Sequence, residues 1–281
     1  LEKATRRKHW HKWSKPRKII KAGFIAEICM SDRLAGKSIV VTGGESGIGR
    51  AIVLRCLDEG ASVVIAGIDE TQMAKTVDAC KAAGADERVL GVPTDVTQAA
   101  DVQTAIDTAV QQFGRLDVAI ANAGVFCEKT AFGDWNIKDW ERMIAVNLTG
   151  VFYVLHAAAK VLIEQGDGGN LMATGSSTAI RPISGHMPYV ASKGGVHNML
   201  RGLAVELAPH QIKVNTIVPG MAATTPVTSQ QGYVEAGLKS VPMNEIVEPD
   251  ELAAFVAFVL SDEAPHMTGT LLKVDAGRTS A

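Results

Sequence analysis

The sequence predicts a doubly wound α/β fold, with a parallel sheet of about seven strands covered by helices on both faces. Three observations carry that expectation. Strand-like and helix-like segments alternate along residues 31–281. The strand-like runs are apolar without a break, as strands buried on both faces must be. A glycine-rich turn, Gly43-Gly44-Glu45-Ser46-Gly47-Ile48-Gly49, joins the first strand-like run to the first helix-like one. Right-handed crossovers between parallel strands then give a Rossmann-like arrangement.

Each element has its own signal. Residues 38–42 are a short β-branched run ended by glycines. Residues 48–59 follow with apolar positions at helical spacing (Ile48, Ile52, Cys56), and Gly60 closes them. A second strand over 61–66 leads to a helix over 70–83, closed by Gly84. A third strand over 88–92 leads to a helix over 99–113, closed by Gly114. A fourth strand over 116–121 precedes one long helix over 137–165. A fifth strand covers 170–174, with a helix over 188–208 after it. A sixth strand covers 212–218, a helix 249–261 and a seventh strand 270–275. No linker or repeat divides 31–281, which reads as one catalytic domain.

The chain has 281 residues and a formal charge of −2, but the charge is uneven. Residues 1–30 hold nine Lys/Arg against two acids, a local +7 that leaves −9 for the rest. This basic stretch carries Trp10 and Trp13 among its cations and is expected to be a disordered or added extension outside the working fold. An acidic body makes nucleic acid an unsuitable partner. No uninterrupted apolar run reaches the roughly 18–20 residues of a bilayer span, so no membrane partner is expected. Cys29, Cys56, Cys80 and Cys127 form no C-x-x-C pair or zinc pattern, and the histidines show no H-x-x-x-H spacing. These are the expectations for reduced thiols in a cytoplasmic protein without a metal.

Two constellations carry chemistry. Gly43, Gly47 and Gly49 let the backbone turn sharply and approach a pyrophosphate, which the N–H groups of the next helix would meet. Tyr189 and Lys193 lie four apart on a predicted helix and so share a face. A free phenol has a pKa of about 10, and a neighbouring ammonium lowers it toward useful acid/base work.

These motifs, with others in order, resemble the short-chain dehydrogenase/reductase family. Thr42-Gly43-x-x-x-Gly47-Ile48-Gly49 is similar to its glycine fingerprint, and Asn122-Ala123-Gly124 to its N-A-G motif. Asn147 lies in a segment like the family's active-site asparagine segment, and Tyr189-Val190-Ala191-Ser192-Lys193 matches its Y-x-x-x-K motif. Pro219-Gly220 after the sixth strand is also familiar, and the likeness runs from about Asp32 to Gly277. The resemblance implies a catalytic set of Asn147, Ser176, Tyr189 and Lys193, with Ser177 adjacent to the serine position. It implies that Ser176 hydrogen-bonds the substrate oxygen and that Asn147 holds a water linking Lys193 to solvent. Lys193 and Tyr189 would also touch the nicotinamide ribose. Glu45, Ser46, Ile48, Asp95, Val96, Ala123, Gly124, Pro219, Gly220 and Thr224 would line the cofactor. Pairing of the helices at 137–165 and 188–208 across subunits would give a homotetramer.

The choice of cofactor is less direct. Family members that prefer NAD usually end the second strand with an acid, and here that position is Gly67. Those that prefer NADP place cations where this chain has Ile68 and Ser46. Asp69 lies two residues late and could reach the ribose, so NAD is favoured over NADP. The implied activity is hydride transfer between the nicotinamide and a small secondary alcohol or ketone, with Tyr189 as acid/base. The substrate segment is expected over 221–247, including Thr225, Pro226 and Tyr233. Phe126, Cys127, Ile180, His186 and Met187 are candidates for the pocket wall, with ordinary packing as their alternative role. A 3-oxoacyl-carrier-protein reductase and a catalytically idle NAD-binding regulator are the alternatives.

Overall fold

In the computed structural model, seven parallel strands make one sheet, in the order β3-β2-β1-β4-β5-β6-β7. The described residues are 32–224, 227 and 232–281; the basic segment 1–30 with Cys29, and Thr225 and Pro226, lie outside them. The strands are β1 (Ser38–Thr42), β2 (Ser62–Gly67), β3 (Val89–Pro93), β4 (Val118–Ala121), β5 (Gly169–Thr174), β6 (Ile212–Pro219) and β7 (Leu271–Val274). The helices are α1 (Gly47–Asp58), α2 (Glu70–Ala82), α3 (Ala99–Phe113), α4 (Ile137–Ile144), α5 (Gly150–Gln165), α6 (Met187–Glu206), α7 (Tyr233–Leu238) and α8 (Pro249–Leu260). Strand order reverses between β1 and β4. Their C-terminal ends therefore open a crevice, the place where doubly wound sheets bind ligands.

Alternation along the strands divides the core in two. Ile39, Val41, Val63 and Ile65 face α1 and α8 with Ile52, Leu252 and Val256. Val40, Val64, Ala119 and Leu171 face the other layer with Ile106, Leu155 and Leu200 from α3, α5 and α6. Because both faces are covered, these strands have no polar stripe, which is why they read as unbroken apolar runs.

Most boundaries fall within one residue of the sequence expectation, and three larger differences have physical reasons. The helix over 137–165 is continuous but contains a π turn at Ala145–Thr149, which adds a residue to one turn and splits it into α4 and α5. β4 begins at Val118 instead of 116 because the Gln165 amide takes both backbone groups of Leu116, at 2.9 and 2.7 Å. α6 ends at Glu206, and a 3-10 turn at Ala208–His210 carries the chain to β6. Helix α7 had no signal in the sequence.

The run Ile137–Gln165 bears on the membrane expectation. Within it an 18-residue window reaches a mean hydropathy of 1.5, so the helix is long and apolar enough to cross a bilayer by length and composition. Its apolar face is nevertheless consumed within the fold, where Val151, Val154, Leu155, Ala158 and Leu162 are buried in the second core layer.

Beside the first layer, Glu59 at the end of α1 is buried and bridges two arginines. Arg33 donates from Nε at 2.8 Å, and Arg55 donates from the preceding turn. Burial alone would raise the Glu59 carboxyl, but the hydrogen bonds from Arg33 and Arg55 outweigh it and hold the pKa below the usual range. A depressed carboxylate pKa stabilises the fold above the unfolded value of about 4.3, and that contribution is lost as pH falls through the folded value. Glu59→Gln is therefore expected to cost about 1–3 kcal/mol near neutral pH. In urea unfolding, the gap between parent and variant should close progressively on acidification below about pH 4.

Candidate active site

The glycine loop is shaped by contacts no side chain would permit. Gly43 has φ +64°, and a Cβ there would lie 2.9 Å from the Cα of Ala123. A Cβ on Gly49 would overlap the Gly43 carbonyl oxygen and reach the Asn122 Nδ2 at 2.5 Å. The loop thus folds directly onto the start of α1, whose first N–H groups face the crevice. Ser46 is the N-cap of that helix but makes no side-chain cap bond, and Ile48 is partly buried against the first core layer. Glu45 is buried at 8% exposure, and its Oε2 has no hydrogen-bond partner. A backbone cradle beside a helix N-terminus, with a buried acceptor lacking a donor, fits a dinucleotide with a ribose to bind.

Across the crevice, Asn122 follows β4. Its Nδ2 donates to the carbonyls of Thr42 and Gly43 at 3.1 and 3.2 Å, and its Oδ1 accepts from Thr174 Oγ1 at 2.9 Å. The Thr42 hydroxyl accepts from the N–H groups of Asn122 and Ala123. Gly124 comes next, and a Cβ there would lie 3.1 Å from Asn147 Oδ1 and 3.5 Å from Lys193 Nζ. That glycine is the point where the cofactor side meets the catalytic side.

The four expected catalytic residues converge at the ends of β4 and β5. Lys193 is buried on α6 and donates to the Thr174 carbonyl at 2.7 Å. Its Nζ lies 5.8 Å from the centroid of the Tyr189 ring, one helical turn earlier. Burial lowers the Lys193 pKa to about 8. Asn147 sits in the π turn with its amide spent on Val125: Oδ1 accepts from the Val125 N–H and Nδ2 donates to its carbonyl, both at 2.8 Å. The distortion aims this side chain at the β4 loop, where a regular helix would carry it past. Ser176 caps a short turn, its Oγ accepting from the Thr178 N–H at 3.1 Å and lying 2.9 Å from Thr178 Oγ1. The neighbouring Ser177 is engaged elsewhere, accepting from Arg278 Nη1 at 3.0 Å.

Other expected residues are placed less centrally. Asp69 is exposed and caps α2, with Oδ1 accepting from the Gln72 N–H at 2.9 Å. Asp95 turns its carboxylate onto Thr97, and Val96 is buried against Gly150. Pro219 ends β6; Gly220 abuts Asp275, and the Thr224 methyl lies over Gly47. On the open side, Phe126 packs edge-on against Tyr189 at 4.8 Å and stacks on His186 at 5.2 Å. Burial raises the Cys127 thiol.

Two residues were not foreseen. His197 lies under Gly175, where its Nε2 accepts the Ser176 N–H at 3.2 Å. Burial, helped by the charge of Lys193, pushes it down to about 4, so the ring is neutral with its proton on Nδ1. Its signal was present: His197 stands one turn after Lys193 on the same face. Arg278 is buried behind the serine loop and also donates to the Arg181 carbonyl at 3.2 Å. Nothing local in the sequence marks it.

Among known proteins, a family model described as enoyl-(acyl carrier protein) reductase matches residues 43–279. A 2,5-dichloro-2,5-cyclohexadiene-1,4-diol dehydrogenase of Sphingobium indicum is 36% identical over 250 residues, covering 88% of this chain and 98% of that protein. A short-chain type dehydrogenase/reductase from Mycobacterium marinum superposes with a TM-score of 0.85 at 30% identity, covering 89% of this chain and 98% of the other. A 3-ketoacyl-(acyl-carrier-protein) reductase from Brucella melitensis, solved with NADH, gives 0.81 at 30% identity, covering 88% and 99%. With this sheet order and site, the chain belongs to the short-chain dehydrogenase/reductase family of oxidoreductases.

Proposed function

We propose that the protein interconverts a small cyclic secondary alcohol and its ketone using NAD, with Tyr189 as the acid/base. The observation that carries this reading is the buried Lys193 ammonium beside Tyr189, across Gly124 from the glycine loop. The bound nicotinamide supplies the hydride chemistry. Gly43, Glu45, Gly47, Gly49, Asn122 and Gly124 would hold the cofactor. In oxidation, the Tyr189 phenolate would take the proton of the alcohol oxygen, and the bound oxidised nicotinamide would supply the acceptor for the carbinol hydride. In reduction, Tyr189 returns that proton to the new alkoxide. Lys193, fixed by the Thr174 carbonyl, lowers the cost of the phenolate. Ser176 Oγ accepts the Thr178 N–H and pairs with the Thr178 hydroxyl, where either oxygen can donate; with Thr178 as the donor the serine proton is directed to the substrate oxygen. Asn147 holds the Val125 backbone and thereby the floor of the site. The Phe126 ring, backed by the buried His186, favours a ring or other apolar body over a charged carrier. The diol dehydrogenase relative, named for a six-membered ring substrate, supports the same choice.

Assayed on a panel of cyclic alcohols and 3-oxoacyl thioesters, the parent should turn over the former more efficiently. Preference for the thioesters would establish the carrier-protein reductase reading instead. Tyr189→Phe should lower kcat by about 10²–10⁴-fold with little change in cofactor affinity. Because the ammonium of Lys193 is lost as pH rises through about 8, ketone reduction should decline above that pH. A profile that stays flat across that range would remove the lysine charge from the mechanism.

His197 acts as a positioning residue for the serine loop. His197→Leu should reduce kcat roughly 10–100-fold while leaving the cofactor KM nearly unchanged, and His197→Asn should recover part of the loss. Equal kcat in the leucine variant and parent would limit the histidine to packing.

We also infer a cytoplasmic homotetramer. Phe152, stacked on His156 at 5.4 Å, is 47% exposed on α5, and Val205 on α6 is 77% exposed. Covering these residues in a subunit interface would remove them from water. Light scattering at micromolar concentration should give about four times the monomer mass, and a monomer would refute the assembly.

A further inference from the structure

The end of β2 and the glycine loop have exchanged a carboxylate. In doubly wound sheets, an acid some twenty residues beyond the glycine loop meets the adenosine ribose hydroxyls, or a cation there meets a 2′-phosphate. In this chain β2 ends at Gly67, which has no side chain to offer. The reason lies beside it. A Cβ on Gly67 would overlap the Glu45 carboxylate, with Oε1 2.7 Å away. Glu45 thus occupies the space that a side chain at position 67 would fill, and an aspartate there would collide with it.

We propose that Glu45 is the residue that recognises the adenosine ribose and selects NAD over NADP. Its Oε2 is buried without a hydrogen bond; burial raises the carboxyl, the backbone N–H groups of Glu45, Asp69 and Ile68 oppose that rise, and the carboxylate so held can only accept. A pair of ribose hydroxyls supplies the missing donor. A 2′-phosphate would bring a second anion against it, and the flanking positions hold Ser46 and Ile68, not cations. The carboxylate is also preorganised: the Glu45 carbonyl accepts from Thr76 Oγ1 at 3.1 Å, which ties the loop to α2. Asp69, by contrast, is exposed, with one oxygen committed to capping α2. This assignment rests on the nicotinamide-cofactor reading above and adds to it the residue that decides between the two cofactors.

The test is calorimetric titration of the full chain with NAD and NADP separately, with melting temperatures recorded for each variant. In Glu45→Gln, the ratio of the NADP to the NAD dissociation constant should fall at least fivefold. In Asp69→Asn it should stay within twofold of the parent. The double variant Glu45→Ser/Gly67→Asp moves the carboxylate from loop to strand and should bring the ratio back to within fivefold of the parent. A smaller shift in Glu45→Gln, a larger one in Asp69→Asn, or no recovery in a folded double variant would overturn the proposal. Should Glu45→Gln fail to melt cooperatively, the double variant decides alone. A parent that binds neither nucleotide would refute the cofactor reading itself, and this outcome is distinct from a parent that binds both equally, which would refute only the selection by Glu45.

Discussion

The side chain of Asn122 ties together the three strand ends on which the site is built. It donates to the last carbonyls of β1 and the first of the glycine loop, and accepts from the hydroxyl that ends β5. Parallel strands leave their terminal carbonyls unpaired wherever the chain turns away into a loop, and an amide with two donors and an acceptor suits such a junction. The glycine loop follows β1, Gly124 follows β4, and Ser176 follows β5. Their relative positions are thereby set by strand geometry and by one buried polar network. The topology supplies the crevice, and this clamp fixes its width.

The catalytic half repeats the same economy with a charge. Lys193 is taken out of water for one carbonyl and one aromatic neighbour. Taking an ammonium out of water opposes folding, and burial accordingly lowers its pKa to about 8. The expense is confined to a residue whose value lies in the transition state. Elsewhere the fold balances its buried ions more fully, as at Glu59, which meets two guanidinium groups.

Much of this was legible in the sequence because the governing signals are local. Unbroken apolar runs gave the parallel sheet, and the spacing of Gly43, Gly47 and Gly49 gave the turn into α1. Helical periodicity put Tyr189 and Lys193 on one face, and the resemblance of the surrounding motifs to the family made them a catalytic pair. What was not legible depends on partners distant along the chain. The start of β4 was misread because Gln165, far along the chain, consumes the backbone of Leu116. The π turn at Ala145–Thr149 was not foreseen because it accompanies the docking of Asn147 onto Val125, 22 residues away along the chain. Gly67 read as a missing acid, when it is the clearance left for a carboxylate from another loop. Absence at one position and presence at another are separate facts in a sequence and a single fact in the fold.

The serine loop has a further dependence on chain order. Ser177 is held by Arg278, whose carbonyl in turn accepts from Arg181 at 3.2 Å. β7, the edge strand, also pairs only with β6. During synthesis the ribosome must therefore release nearly the whole domain before this latch can close. The first core layer waits as well, because Leu252 and Val256 of α8 pack with Ile39, Val41 and Ile52 of β1 and α1. The core beneath the nucleotide crevice and the latch at Arg278 are thus both completed by the last part of the domain to be synthesised.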